Sequence, residues 1–414
     1  MQRQRASLSN VADRGAFLDA ARAVIDQILA FHIEHDSIKA FEFFESTRSR
    51  VLLDQLASNG SASSPREVLS ELRGRIPKGD VMVSYAVLPG ALVVWTVGRD
   101  LFSQRIVRIS APELENLVTK FRESVRTAEG EPDSLLSGRL YRMLVDSTTI
   151  AQSGGNLIIV PDRWLHFLPF VALRNPSTGR LLLREYRVSY EPSAALLLNS
   201  LSTTPQRSSR ASTVLAIGNP SFEQGALHLQ NLPSAAIEAN RVASIYRNPT
   251  VLVDKEATDA AFAALAPQAD VIHFAGHAVV GRDAPQRSHL VLASDGQSAG
   301  VLFSTDIAQW HLRHTRLVVL SACSTSDGRL SPTEGASSLA RAFFAAGVPA
   351  VVSSLWPVDD ADATADFFRA FHKSFERGES AAQALQDAQI RALTEGGRSR
   401  PARSWAAFQV FGRS

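Results

Sequence analysis

LVVLSACS, residues 317–324, is an apolar run that leads into the only cysteine of the chain, Cys323. VIHFAGHA, residues 271–278, follows the same plan and leads into a histidine, His277. Short apolar runs closed by small residues read as buried strands. Each of these two strands therefore ends near a group with chemistry, one a thiol and the other a base. A thiol and an imidazole brought together are the minimum equipment of a cysteine hydrolase.

Outward from these runs, strands alternate with helices. Val214–Gly218 precedes a helix over Ser234–Tyr246, and helix Asp259–Leu265 precedes Val271–Phe274. His289–Ala293 and Ser304–Gln309 read as a strand and a short helix. Leu317–Leu320 then leads to helix Gly335–Ala346, and Ala350–Ser354 leads to helix Ala361–Phe375. A last helix, Ser380–Leu393, precedes the apolar segment Trp405–Phe411. This alternation predicts a mostly parallel sheet with helices on both faces. In such a sheet, residues just past the strand ends gather along one edge, where ligands bind. His277 and Cys323 each stand three residues past their apolar runs, so neighbouring strands would bring them together.

Upstream the pattern changes. VMVSYAVLPGALVVWTVG, residues 81–98, reads as a hairpin turning at Pro89-Gly90, with a third strand at Gln104–Ile109. Ala111–Arg126 and Leu136–Val145 read as helices, and Asn156–Val160 as a strand. Residues 16–31 and 38–56 read as two amphipathic helices, the first carrying Phe17, Ala21, Val24, Ile28 and Phe31 at helical spacing. The expected organisation is a helical segment over 1–60, a first part over 80–200, a Ser/Thr/Arg-rich linker over 201–212 and a second part over 213–414.

Bulk composition narrows the function. The 414 residues are 45% hydrophobic and 20% charged, enough for a large core. Basic and acidic residues number 43 and 41, a balance that calls for neither nucleic acid nor a membrane as partner. One cysteine excludes an internal disulfide and fits a reducing compartment. No apolar region follows the basic N-terminus, and no apolar stretch approaches a membrane span, so a cytoplasmic protein is expected. There is no P-loop, no GxGxxG and no GxSxG elbow, and no cofactor is expected.

For Cys323 to act as a nucleophile, His277 must take its proton, because a free thiol titrates near about 8.5. The imidazolium then protonates the departing amine. Backbone amides must hold the oxyanion, and those of Ala278 and Cys323 are the candidates. The plainer readings are an inert core cysteine and a structural histidine.

At this point the residues match a known family. VIHFAGHA, LVVLSACST and EGASSLARAFFAAGVPAVVSSLWPVDDADA strongly resemble the CHAT peptidases, caspase-like domains commonly attached to tetratricopeptide repeats and related to caspases and separase. NLIIVPDRWLHFLPFVAL, YRVSYEPSAALLL and WAAFQVFG extend the resemblance over roughly Asp80–Gly412. It implies a caspase-like α/β/α sandwich behind an α-helical N-terminal segment, with His277 as catalytic histidine and Cys323 as nucleophile. Their 46-residue interval fits the roughly 50-residue spacing of caspases. It also implies a protein substrate, and N-terminal helices that end a repeat array and meet an activating partner. One position departs from the pattern: the family usually has Gly after the histidine, where this chain has Ala278. Ala serves only if its φ is negative.

Other residues carry weaker signals. Asp359 and Asp360 either line an S1 pocket for a basic P1 residue, as in related enzymes, or cap the helix beginning at Ala361. Trp356 either walls that pocket or belongs to the core. His273 and His277 have i, i+4 spacing, but on a strand and without a third ligand this is no metal site. A non-catalytic interaction module on the same fold is the alternative to an enzyme.

Overall fold

The structure is a computed structural model that describes residues 21–49, 52–54, 56, 67–127, 132–145, 155–202, 213–222, 229–281, 287–323, 338–394 and 400–413. These residues divide into two compact units, one ending at Ser202 and the other beginning at Thr213. Most of the expected linker lies outside the described residues.

The first unit opens with helices α1 (Arg22–His35) and α2 (Ser37–Glu45). Helix α3 (Val68–Arg75) precedes the meander β1 (Val81–Val87), β2 (Ala91–Gly98) and β3 (Leu101–Arg108). Helices α4 (Ala111–Thr127) and α5 (Ser134–Leu144), strands β4 (Asn156–Val160) and β5 (Arg187–Tyr190), and α6 (Ala194–Ser202) complete it. Its sheet runs β5-β4-β1-β2-β3, parallel over the first three strands and antiparallel over the last three. Helices α1 and α2 are built into this unit. Phe41 and Phe44 lie against Trp95, and the buried Glu45 accepts from Ser84 Oγ and the Ala194 amide.

The face that α1 buries differs from expectation. Its inner face is Arg22, Ile25, Asp26 and Leu29, while Val24 and Phe31 are 49% and 61% exposed. The cause is a buried ion pair that periodicity does not reveal: Arg22 reaches Asp162 at 2.9 Å and Asp26 at 2.7 Å. Burial alone would raise Asp162, yet the charges of Arg22 and Arg48 and the Val87 amide hold it below its usual range. A carboxylate so depressed stabilises the fold above its unfolded pKa of about 3.9, and that contribution is lost as pH falls through the folded value. Arg22→Ala leaves Asp162 buried without its main partner and is expected to cost about 3–5 kcal/mol at neutral pH. Urea unfolding at pH 7 and below pH 4 checks this, and the penalty should shrink at the acidic end.

The second unit contains β6 (Thr213–Gly218), α7 (Pro233–Ala243), β7 (Asn248–Val253), α8 (Asp259–Leu265), β8 (Val271–Val279), β9 (His289–Val291) and β10 (Val301–Phe303). It continues with β11 (Leu317–Cys323), α9 (Ser338–Ala345), β12 (Ala350–Ser354), α10 (Asp362–Glu376), α11 (Ala381–Thr394) and β13 (Phe408–Gly412). The order is β7-β6-β8-β11-β12-β13, parallel except for the antiparallel β12–β13 pair. Beyond the last β6 pairing at Ala275, β8 continues and pairs antiparallel with β9 from Ala278.

The residues of β8 alternate between two helical layers. Ile272 and Phe274 join the apolar cluster of Phe262 on α8 and Leu339 and Phe343 on α9. Burying each such large side chain contributes about 1.5–3 kcal/mol. His273 turns the other way, to α7 and α10. Gly218 lets α7 lie directly on β6, since a Cβ there would stand 2.6 Å from the Ala235 carbonyl oxygen. The result is a three-layer α/β/α arrangement. Among the described residues, no helix is long and apolar enough to cross a membrane.

Candidate functional site

Both chemical residues lie inside strands, not past them. Pairing carries β8 through Gly276 and His277 to Val279, and β11 through Ser321 and Ala322 to Cys323, beyond the apolar runs. In the parallel β8–β11 ladder, Cys323 is the register partner of His277. Such partners have Cα atoms about 4.8 Å apart, on the same face of the sheet. Here that face also carries His273. The end of β11 is tied down from its other side, where the Ser354 hydroxyl on β12 donates to the Ala322 carbonyl at 2.9 Å.

His277 is half-buried. Its Nε2 lies 2.6 Å from the Gln230 carbonyl oxygen, in the segment that enters α7. A carbonyl only accepts, so Nε2 carries the proton and Nδ1 is the basic nitrogen of the neutral ring. The Phe222 ring meets His277 edge-on, with centroids 5.4 Å apart. The imidazole is thus oriented from two sides, as a base serving a nucleophile requires.

Ala278 lies in the extended backbone of β8 and outside the left-handed region, so alanine carries no strain where the family has glycine. The Asn219 amide donates to the Ala275 carbonyl at 3.0 Å, which turns the odd-numbered backbone groups of β8 toward β6. By alternation the Ala278 amide points to β11, and the register turns the Cys323 amide toward β8. Both oxyanion candidates therefore face the ladder between the two strands. Gly276 serves packing: a Cβ there would stand 3.0 Å from the Phe274 ring and 3.1 Å from Pro220.

Of the two readings of the acidic residues, helix capping does not hold, and Trp356 takes the core place that is one of its two readings. Neither Asp359 nor Asp360 caps α10, whose N-cap is Ala361, with no side-chain capping bond. Instead Asp360 accepts from the Ser234 amide at the start of α7, at 3.1 Å. Both carboxylates are otherwise exposed. Trp356 is buried, and its indole donates to the Arg403 carbonyl at 3.0 Å. His273 is a core residue bonded to Glu238. Residues 324–337, which read in the sequence as a loop leading into helix Gly335–Ala346, lie outside the described residues.

Sequence reading missed Gln230 and Phe222. Gln230 acts through its main chain, so its residue type carries no signal. Phe222 is distant from His277 in sequence and adjacent only in the fold.

Comparisons with known proteins agree with this architecture. A family model described as the CHAT domain matches residues 135–413. Tetratricopeptide repeat protein 28 of Homo sapiens is 29% identical over 297 residues, covering 62% of this chain, and its Mus musculus counterpart is 28% identical over the same length. The chain spans 12% of the length of these relatives. Among solved structures, two crystal structures of the Saccharomyces cerevisiae separase–securin complex share the fold, with TM-scores of 0.56 and 0.55 at 13% and 11% identity. Each comparison covers 92% of this chain and 34% of the other.

Proposed function

Because the chain belongs to the CHAT domain family, we propose that it is a cysteine endopeptidase acting through a Cys323–His277 dyad. The reading rests on one observation, the register pairing of Cys323 with His277. His277 Nδ1 takes the thiol proton as sulfur attacks the peptide carbonyl carbon. The C–N bond breaks, the imidazolium protonates the leaving amine, and a thioester remains. Water, deprotonated by the same nitrogen, releases the acid and restores the thiol. The amides of Ala278 and Cys323 hold the oxyanion once the last β8–β11 pairing opens.

That requirement suits a regulated enzyme of signalling or defence, held latent until a protein partner acts. The helical N-terminal segment supports such a contact, because Val24, Phe31 and Ile38 stand exposed on α1 and α2. A non-catalytic scaffold is the second reading, favoured by the tetratricopeptide name of the curated relatives. A positional-scanning peptide library on wild type and Cys323→Ala separates the two. Cleavage that vanishes in the variant supports the enzyme, and cleavage by neither favours the scaffold.

Asp360, with Asp359 beside it and Trp356 nearby in sequence, is assigned to recognition of a basic P1 residue. A charged hydrogen bond contributes about 1.5–3 kcal/mol, so Asp360→Ala should lower kcat/KM for Arg or Lys at P1 by about 10- to 100-fold. Losing the bond to the Ser234 amide should cost about 1 kcal/mol of stability. The same library reads the first effect, and an unchanged P1 profile overturns the assignment.

A further inference from the structure

Beneath the dyad, on the same face of β8, lies a chain of buried polar groups that the proposed reaction does not use. His273 Nε2 is 2.9 Å from Glu238 Oε1, His372 Nε2 is 3.1 Å from His273 Nδ1, and the Tyr246 hydroxyl is 2.6 Å from His372 Nδ1. Relative exposures are 4% for Glu238, 0% for both histidines and 5% for Tyr246. The four come from separate places: α7, β8, α10 and the turn after α7.

We propose that Glu238, His273, His372 and Tyr246 are positioning residues that fix the seat of α7 on β8 and, through Gln230, the orientation of His277. The proposal rests on the dyad reading given above and adds to it the device that holds the base in place.

The chemistry of the chain gives it direction. An ionised Glu238 only accepts, so His273 Nε2–H donates to it. With both rings neutral, His372 Nε2–H donates to His273 Nδ1 and Tyr246 O–H donates to His372 Nδ1. Burial, and then the neighbouring His273, push His372 well below the ordinary imidazole range. The surrounding groups are the Phe368 ring, edge-on to His273 with centroids 5.2 Å apart, and the charges of Arg316 and Glu376 acting on Tyr246.

On its outer side α7 is held to α10 by Arg241, which pairs with Asp362 and Asp366 at 2.9 and 3.2 Å, while its apolar contact with β6 is loose. It meets β6 through Ala235, Ala236 and Ala239 over Gly218, small groups that would accommodate a slide. A buried polar pair admits one register, because any other leaves its atoms unpaired. The seat matters for His277 because Gln230 lies three residues ahead of α7, and Leu232 is tied to Asn219 by a 2.9 Å bond. A helix slide of one residue is about 1.5 Å, enough to break the 2.6 Å contact between the Gln230 carbonyl and His277.

The single cysteine allows a test without a substrate. Alkylation of the full chain by iodoacetamide is followed against pH, with mass spectrometry to confirm the site. Wild type should inflect below the ordinary thiol value of about 8.5, and His277→Ala should inflect near it. Glu238→Ala should move the inflection toward the His277→Ala curve, slowing alkylation at pH 6.5 by about tenfold for each unit moved. Glu238→Gln keeps an acceptor for His273 and should restore most of the wild-type curve, which a general loss of packing would not do. Tyr246→Phe should move it in the same direction by less.

A folded Glu238→Ala that keeps the wild-type curve overturns the proposal. If circular dichroism shows that variant unfolded, Tyr246→Phe decides by the same criterion. Coincident curves for wild type and His277→Ala, or a native thiol that does not react, sink the dyad and this proposal with it.

Discussion

Cys323→Ala should abolish peptide cleavage while the protein melts almost as before. The substitution removes one sulfur atom, and with it the only thiol in the chain. No other residue can form the thioester, so the loss should reach the detection limit. The fold should hardly notice. β11 is paired on both sides, to β8 and β12, and its ladder is made of backbone groups that alanine also supplies. A stability change below about 1 kcal/mol corresponds to a shift of no more than about 4 °C. Calorimetry and a cleavage assay on one preparation check both halves. Residual cleavage would place the chemistry elsewhere, and a large drop in melting temperature would recast Cys323 as structural.

His277→Ala should lower kcat/KM by about 10²–10⁴-fold, the usual contribution of a positioned acid–base group. Residual activity distinguishes this from the cysteine variant, because a thiol retains some intrinsic nucleophilicity without its base. The pH profile should change as well, since activity would then follow the unassisted thiol and rise toward about pH 8.5. Stability should change little. His277 is half-buried, and its contacts are one main-chain carbonyl and one ring edge. A variant that is fully active from pH 6 to pH 9 would remove His277 from the mechanism.

Much of the second unit was legible in the residues. Asn156–Val160 in the first unit and Ala350–Ser354 in the second were read with the bounds the structure gives them. Short apolar runs in buried strands carry strong local signals. The ends of β8 and β11 did not, because Gly276-His277 and Ser321-Ala322-Cys323 are small or polar and hold strand geometry only through their neighbours. Three strands carry no readable signal, among them Val301–Phe303, which is only three residues long. Arg187–Tyr190 is four residues long, and Asn248–Val253 opens with Asn-Pro, a turn signal.

The misread face of α1 has a different origin. Its apolar stripe points outward because Arg22 and Asp26 occupy the inner face, held by Asp162 far along the chain. Asp360 teaches the same lesson, since its bond is to the start of a helix 126 residues earlier. Cys323 and His277 were visible as residue types, but their pairing follows only from the register of β8 against β11. The glutamate, histidines and tyrosine beneath them were legible as letters and not as a network.

The most direct test of the account is covalent. A peptidyl chloromethyl ketone with arginine at P1 is incubated with wild type and with His277→Ala, and the adducts are located by mass spectrometry. The expected result is one adduct per chain on Cys323 in wild type and nearly none in the variant at neutral pH. Equal labelling of the two proteins would contradict a shared site, and so would a native wild type that takes no label with any activating partner.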